Sequence, residues 1–173
     1  MRFWRNTSIA GLAPGDTATL PFGTLGYEWD EDLDNGFRPA GLLRLSTTTV
    51  EGAPVLTDYG STFASGTATH HLTLYKHSSG ALVFGSGTVQ WSWGLDADHD
   101  RPGTPADPRM QQATVNLLAD MDTQPGTLVT GLIPATASTD VSGPVSAIST
   151  PNSGSTVAPG SRVTITGTAT DTG

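Results

Sequence analysis

Two acidic runs in the chain have the spacing of metal ligands. Asp30-x-Asp32-x-Asp34 and Asp96-x-Asp98-x-Asp100 each place a carboxylate at every second position, as the first half of a calcium loop does. Asn35 stands where such a loop wants glycine, and no closing glutamate follows either run. The same residues therefore also fit a solvated acidic loop neutralised by Arg38 or Arg101. Glu28 and Asp30, beside Tyr27, form a second candidate as a general acid and base. If residues 27–29 are a strand, both acids share one face about 6–7 Å apart, a distance acid–base chemistry can use.

Histidines and aromatic rings supply the remaining candidates. His70 and His71 are adjacent at the head of an expected strand, so their rings point to opposite faces and cannot share one metal without a bulge. His77 and His99 fall in turns and read as ordinary polar histidines. Tyr27, Trp29, Trp91 and Trp93 could stack on a sugar ring. On strands beside a helix, the same rings serve as core.

The elements that must hold these side chains centre on residues 80–121. Val89, Trp91 and Trp93 alternate with Thr88, Gln90 and Ser92, which is the period of a strand. Gly85 and Gly87 before it suggest a bulge or a close backbone approach. Asp107 is placed as an N-cap and Pro108 as the first helical residue. Met110, Ala113, Val115, Leu117, Leu118 and Met121 follow at helical spacing, giving a closing helix over 108–121, with Pro125 and Gly126 as its stop. This helix should cover the tryptophans.

Upstream, residues 17–20, 24–29 and 42–50 read as short strands, and 51–66 as loop. Residues 69–77 and 81–86 read as a hairpin around Ser78-Ser79-Gly80. The rings of Phe3 and Trp4 suggest that the chain begins inside an element of a larger domain. Residues 131–144 are a linker rich in Pro, Ala, Ser and Thr. After the turn at Ala158-Pro159-Gly160, residues 162–167 alternate as a strand.

Composition excludes several functions. The formal net charge is −8 and Lys76 is the only lysine, so phosphate backbones are repelled and general nucleic-acid binding is excluded. No long apolar run predicts a membrane span. The absence of cysteine removes disulfides, thiolate metal sites and a cysteine nucleophile. Thr, Ser and Gly abundance favours strand and loop. An exported parent, extracellular or at the cell surface, is expected. The apolar start carries no signal region, so an export signal would have been removed or would lie on a longer parent.

Several separated motifs carry a family resemblance. Phe3-Trp4-Arg5-Asn6-Thr7, Gly23-Thr24-Leu25-Gly26-Tyr27-Glu28-Trp29-Asp30, Gly36-Phe37-Arg38-Pro39-Ala40-Gly41-Leu42, residues 85–96 and residues 110–121 resemble the C-terminal part of the large-subunit domain of N,N-dimethylformamidase-like proteins. The likeness spans roughly residues 2–130. It implies an α/β fold of class I glutamine amidotransferase type, a parallel sheet flanked by helices, of which this chain is a β-rich C-terminal portion with an extended β tail. It also implies amide or other C–N bond hydrolysis with a mononuclear iron held by tyrosine and carboxylate. The His-x-Glu-Tyr motif carrying that carboxylate lies upstream of the matching region, and no His-x-Glu occurs here.

No metal ligand can therefore be carried over. No cofactor is expected in this chain, with iron expected in the full-length parent. The expected partner is the upstream part of the same domain, and the expected ligand a small amide. The alternative is an extracellular β module binding glycan. Residues 145–173 resemble the first strands of a bacterial immunoglobulin-like domain, too few for a sandwich of about seven strands. Such a tail should lie extended or pair with a neighbouring edge.

Overall fold

The computed structural model describes residues 2–101, 103–140 and 142–171. The chain divides into two compact units, one up to Ala137 and one from Ser138 onward. The fold is mixed α and β, rich in small antiparallel sheets. In the first unit, β1 (Leu43–Arg44), β4 (Thr73–Lys76) and β5 (Leu82–Gly85) form a sheet in the order β1-β4-β5. A separate ribbon pairs β2 (Thr48–Leu56) with β3 (Phe63–His70). Every strand pairing among the described residues is antiparallel.

Helix α1 (Pro108–Asp120) forms where its local signals place it. The Asp107 carboxylate accepts from the Arg109 N–H at 2.7 Å, and Pro108 occupies the first turn, where its missing N–H costs nothing. The helix ends earlier than its proline signal. Asp122 adopts φ 56°, and this left-handed residue turns the chain out of the helix before Pro125. One face of α1, through Ala113 and Leu117, packs on Phe3, Trp4, Leu45 and Leu72. Val115 and Ala119 pack on Ala135, with Leu128 and Leu132 against them. A helix covered on two sides gains most of its stability from that burial rather than from intrinsic propensity. Arg5 fastens its end, reaching the Asp120 carboxylate with two N–H groups at 2.9 and 3.1 Å.

Five expected elements are corrected. Residues 89–93 are not a strand: Val89–Gly94 is a 3₁₀ helix capped by the Thr88 hydroxyl. Its period is three, so Gln90 and Trp93 share the buried face while Val89 and Ser92 face out. Six residues cannot separate that period from two. Residues 51–56 are not loop but continue β2, with a bulge at Gly52, whose φ is 70°. Pro54 is tolerated there because both strands of a lone ribbon are edges. The strand expected over 69–77 breaks at His71 and Leu72 between β3 and β4. Residues 17–20 and 24–29 form no strand; Trp29 makes only an isolated bridge to Thr88.

In the second unit, β6 (Val145–Thr150) pairs with β7 (Thr166–Thr170), and every residue of both strands is exposed. The expected extended tail thus folds back on itself, and its second strand starts at Thr166 rather than 162. Two exposed strands bury no core of their own.

Candidate functional site

Two concavities lie on the first unit. The smaller, about 520 Å³, is acidic. Asp30, Glu31 and Asp32 line it with Arg38, His71 and Tyr75. Asp32 is its best-held carboxylate, accepting from Arg44 Nε at 2.7 Å and from Arg38 Nε at 3.0 Å. The Arg44 hydrogen bond, against burial and aided by Arg38, holds this carboxyl below its ordinary range. Asp34 pairs with Arg38 at 3.3 Å and is otherwise exposed. Glu31 accepts from the Thr69 N–H, and Asp96 accepts from the Asp98 N–H at 2.9 Å in a local turn. Glu31, Asp32 and Asp34 are thus engaged by backbone and arginines, Asp30 is exposed, and Asp96, Asp98 and Asp100 stay on an exposed loop. Among the described residues, no group of three or more His, Asp or Glu gathers to hold a metal ion.

The proposed shared face of Glu28 and Asp30 loses its basis. Tyr27 has φ 60°, which breaks any strand through 27–29. Glu28 and Asp30 are exposed, and their backbones meet Val89 and Gly87 instead.

The tryptophans are dispersed into the interior. Trp91 lies beside Phe3 and Phe84, at ring-centre distances of 6.2 and 6.1 Å, and its indole N–H reaches the Thr114 hydroxyl at 3.4 Å. Trp93 stacks on His99 at 4.3 Å. Trp29 meets His70 edge-on at 6.2 Å. These rings do not form a shared exposed face. The expected shielding by the helix holds for Trp91, while Trp93 is covered chiefly by His99 and Gly23.

The larger concavity is a groove of about 1050 Å³ that the motifs do not announce. Residues 16–27 form one wall; Trp91, Trp93, Leu72 and residues 45–48 form the other. The Gln90 side chain lies within it, against Gly26, where a Cβ would stand 2.3 Å from Gln90 Oε1. A side chain at residue 26 would push the Gln90 carboxamide from its place. The glutamine's neighbours were legible in the Gly23-Thr24-Leu25-Gly26 motif, but its role depends on contacts across more than sixty residues.

His70 and His71 face apart, as alternation requires: His70 lines the groove and His71 the acidic pocket. His70 Nε2–H donates to the Ser86 carbonyl at 2.8 Å. Burial pushes the His70 imidazole below its ordinary value of 6.5, against that bond and the nearby Asp30. Burial, then Arg44, lowers His71 likewise, and its Nδ1 has no hydrogen-bond partner among the described residues. His99 Nε2 meets Thr104 O at 3.3 Å, and His77 closes a turn with Ser79.

A pH dependence follows. The folded state refuses protons at His70 and His71 that the unfolded state accepts below about pH 6.5. Stability is therefore full above that value and falls as pH drops from it toward the folded values. Asp107 adds a second acid loss. Burial alone would raise its carboxyl, but Arg109 and backbone N–H groups outweigh burial and lower it. With Asp32, it contributes stability present above about pH 3.9 and lost as pH falls through the depressed values. Urea midpoints should fall between pH 7.5 and 5 and again below pH 4. His70→Gln with His71→Leu should flatten the upper step alone. A midpoint unchanged from pH 7.5 to 5 in the parent chain would contradict this.

The fold and its cavities define a β-rich mixed α and β segment in which Asp32, the best-held acid of its acidic pocket, is taken up by two arginines. Residues 1–105 match the family model for N,N-dimethylformamidase beta subunit-like proteins, C-terminal, and the chain belongs to that family. The match stops short of α1. Neither a curated protein nor a solved structure matches the chain. No helix among the described residues is long and apolar enough to cross a membrane.

Proposed function

We propose that this chain is the β-rich C-terminal part of a glutamine amidotransferase-like domain in an amide hydrolase of dimethylformamidase type, and that it forms pocket wall rather than supplying the reacting groups. The observation that carries this reading is the family match over residues 1–105. The chain's own residues do not fit a mononuclear iron held by tyrosine and carboxylate. Tyr27 and Tyr59 are exposed. Tyr75 lines the acidic pocket with Asp30 and Asp32; Asp32 is occupied by Arg38 and Arg44, Asp30 is exposed, and no group of three or more His, Asp or Glu gathers there among the described residues. In this reading the iron ligands lie in the upstream part of the same domain, which is the chain's partner, and Tyr27 and Glu28 lie toward the site. The substrate is a small amide.

The linker is confined to residues 138–144, because Leu132 and Ala135 pack on α1 and Ile133 bonds to it, and residues 145–173 serve as the first strands of an immunoglobulin-like domain. The antiparallel pairing of β6 with β7 supports that assignment. The parent is an exported multidomain protein, a reading supported by the Thr-, Ser- and Gly-rich composition. A glycan platform would need Tyr27, Trp29, Trp91 and Trp93 exposed together; Tyr27 is exposed, but Trp29 and Trp91 are half-buried and Trp93 buried.

The test is the upstream reading frame and what it adds. A longer protein containing it should carry a His-x-Glu-Tyr segment, bind one iron and release an amine from N,N-dimethylformamide. Residues 1–173 alone should do neither. Stoichiometric iron in residues 1–173 alone, or a longer protein without iron and hydrolysis, would overturn the reading.

A further inference from the structure

Residues 17–20 have the composition of a strand and the surroundings of one, but no partner. Thr17, Ala18, Thr19 and Leu20 belong to no sheet, and no backbone-to-backbone hydrogen bond is found for them among the described residues. Their single hydrogen bond is the one Thr19 O accepts from Arg109 Nη2 at 2.8 Å. Thr17, Ala18 and Thr19 are exposed. β-branched residues with open N–H and C=O groups are a template for another strand.

The groove beside them carries a matching polar group. Gln90 is 6 % exposed, and its carboxamide makes no hydrogen bond among the described residues. The carboxamide opens to the groove it lines, where a peptide bond offers it both a donor and an acceptor. Phe22 and Tyr27 stand 95 % and 77 % exposed on the rim, the type of ring that anchors interface cores. Asp16 and Arg101 are the only residues of fixed charge in the lining. On a chain of net charge −8 this neutral groove selects an uncharged occupant.

We infer that the groove seats an extended, uncharged strand from the upstream part of the same subunit, pairing with residues 17–20 and meeting the Gln90 carboxamide through one of its peptide groups. The mode is strand addition, with backbone bonds supplying affinity and the Trp91–Trp93 wall selecting an apolar side chain. The inference rests on the proposed upstream partner and names the surface that receives it.

The test is amide hydrogen exchange on residues 1–173 alone and on the longer protein with its native upstream sequence. Amides of 17–20 should exchange freely in the first and be slowed on the order of 100-fold in the second. Ala18→Pro and Thr19→Pro each remove one N–H, and one of the two must face the ladder. One of them should abolish the protection of its neighbours in the longer protein, while both leave the thermal midpoint of residues 1–173 unchanged. Gln90→Leu should reduce that protection at least in part.

Free exchange in both proteins overturns the inference. So does protection in residues 1–173 that rises with concentration, which would make a second copy the occupant. A longer protein that binds iron and hydrolyses amide while 17–20 stay open overturns the docking and leaves the function standing. Protection without iron does the reverse.

Discussion

Trp4→Ala should lower the unfolding free energy by about 3–5 kcal/mol, the range for removing a large buried aromatic side chain. Trp4 is buried at the junction of the N-terminal segment, β1 and α1. Its ring meets Phe3 edge-on at 4.8 Å, and its indole N–H donates to the Leu45 carbonyl at 2.8 Å. Leu45 in turn donates its N–H to the Leu72 carbonyl at 2.8 Å. The indole therefore closes a hydrogen-bonded chain from the N-terminal segment through Leu45, which follows β1, to Leu72, which precedes β4. Trp4→Phe separates the two contributions: it keeps most of the ring but leaves Leu45 O unpaired, so it should cost about 1–3 kcal/mol. Urea titrations measure both. A loss below 1 kcal/mol for Trp4→Ala would mean that the N-terminal segment is not docked as described. Equal losses for the two variants would assign the whole effect to the hydrogen bond.

Phe3 and Trp4 also show what a sequence can and cannot disclose. Two large rings in succession announced burial, but not where. Their cover is supplied by Leu45, Leu72, Ala113 and Leu117, residues forty to more than a hundred positions away. Asp107-Pro108 was readable because capping is local: the signal and the structure it makes lie within one turn. The 3₁₀ helix at Val89–Gly94 was not, because six residues satisfy periods of two and three alike. Arg38 was legible as a neutralising partner of the Asp30-x-Asp32-x-Asp34 run, but nothing local pointed to Arg44, which reaches Asp32 as well. The strand-like character of residues 17–20 was legible. No strand pairs with them among the described residues, and local composition carries no record of that. The groove escaped notice for the same reason. Gln90 looks like the polar half of an alternating strand until the chain is folded around it.

Asn116→Asp should be the most damaging change of nearly constant shape. Asn116 is fully buried. Its Nδ2 donates to the carbonyls of Phe3 and Arg5 at 2.9 and 2.7 Å, and it accepts from Gln112 Nε2 at 3.0 Å. Gln112 exchanges both amide bonds with Ile133, at 2.9 and 2.7 Å. Two carboxamides one helical turn apart thus tie α1 to the N-terminal segment on one side and to residue 133 on the other. Aspartate replaces the two donors with acceptors, so a carboxylate would face two carbonyls without water. The expected loss at pH 7 is about 3–5 kcal/mol, the cost of a buried charge without a partner, and Asn116→Ala should lose about 2–4 kcal/mol by leaving three groups unpaired. The pH dependence distinguishes charge from shape. Burial and the carbonyls raise the folded-state pKa of the new carboxyl above its unfolded value of about 3.9. The folded state then binds the extra proton, so the deficit relative to the parent chain shrinks as pH falls through the raised pKa. Recovery stays partial, because a protonated carboxyl offers one donor to two carbonyls. Taking the difference from the parent chain at each pH removes the opposite trend from His70 and His71. A difference that is flat from pH 8 to 4 would show that the carboxylate finds water, and that the seam between α1 and the N-terminal segment is open.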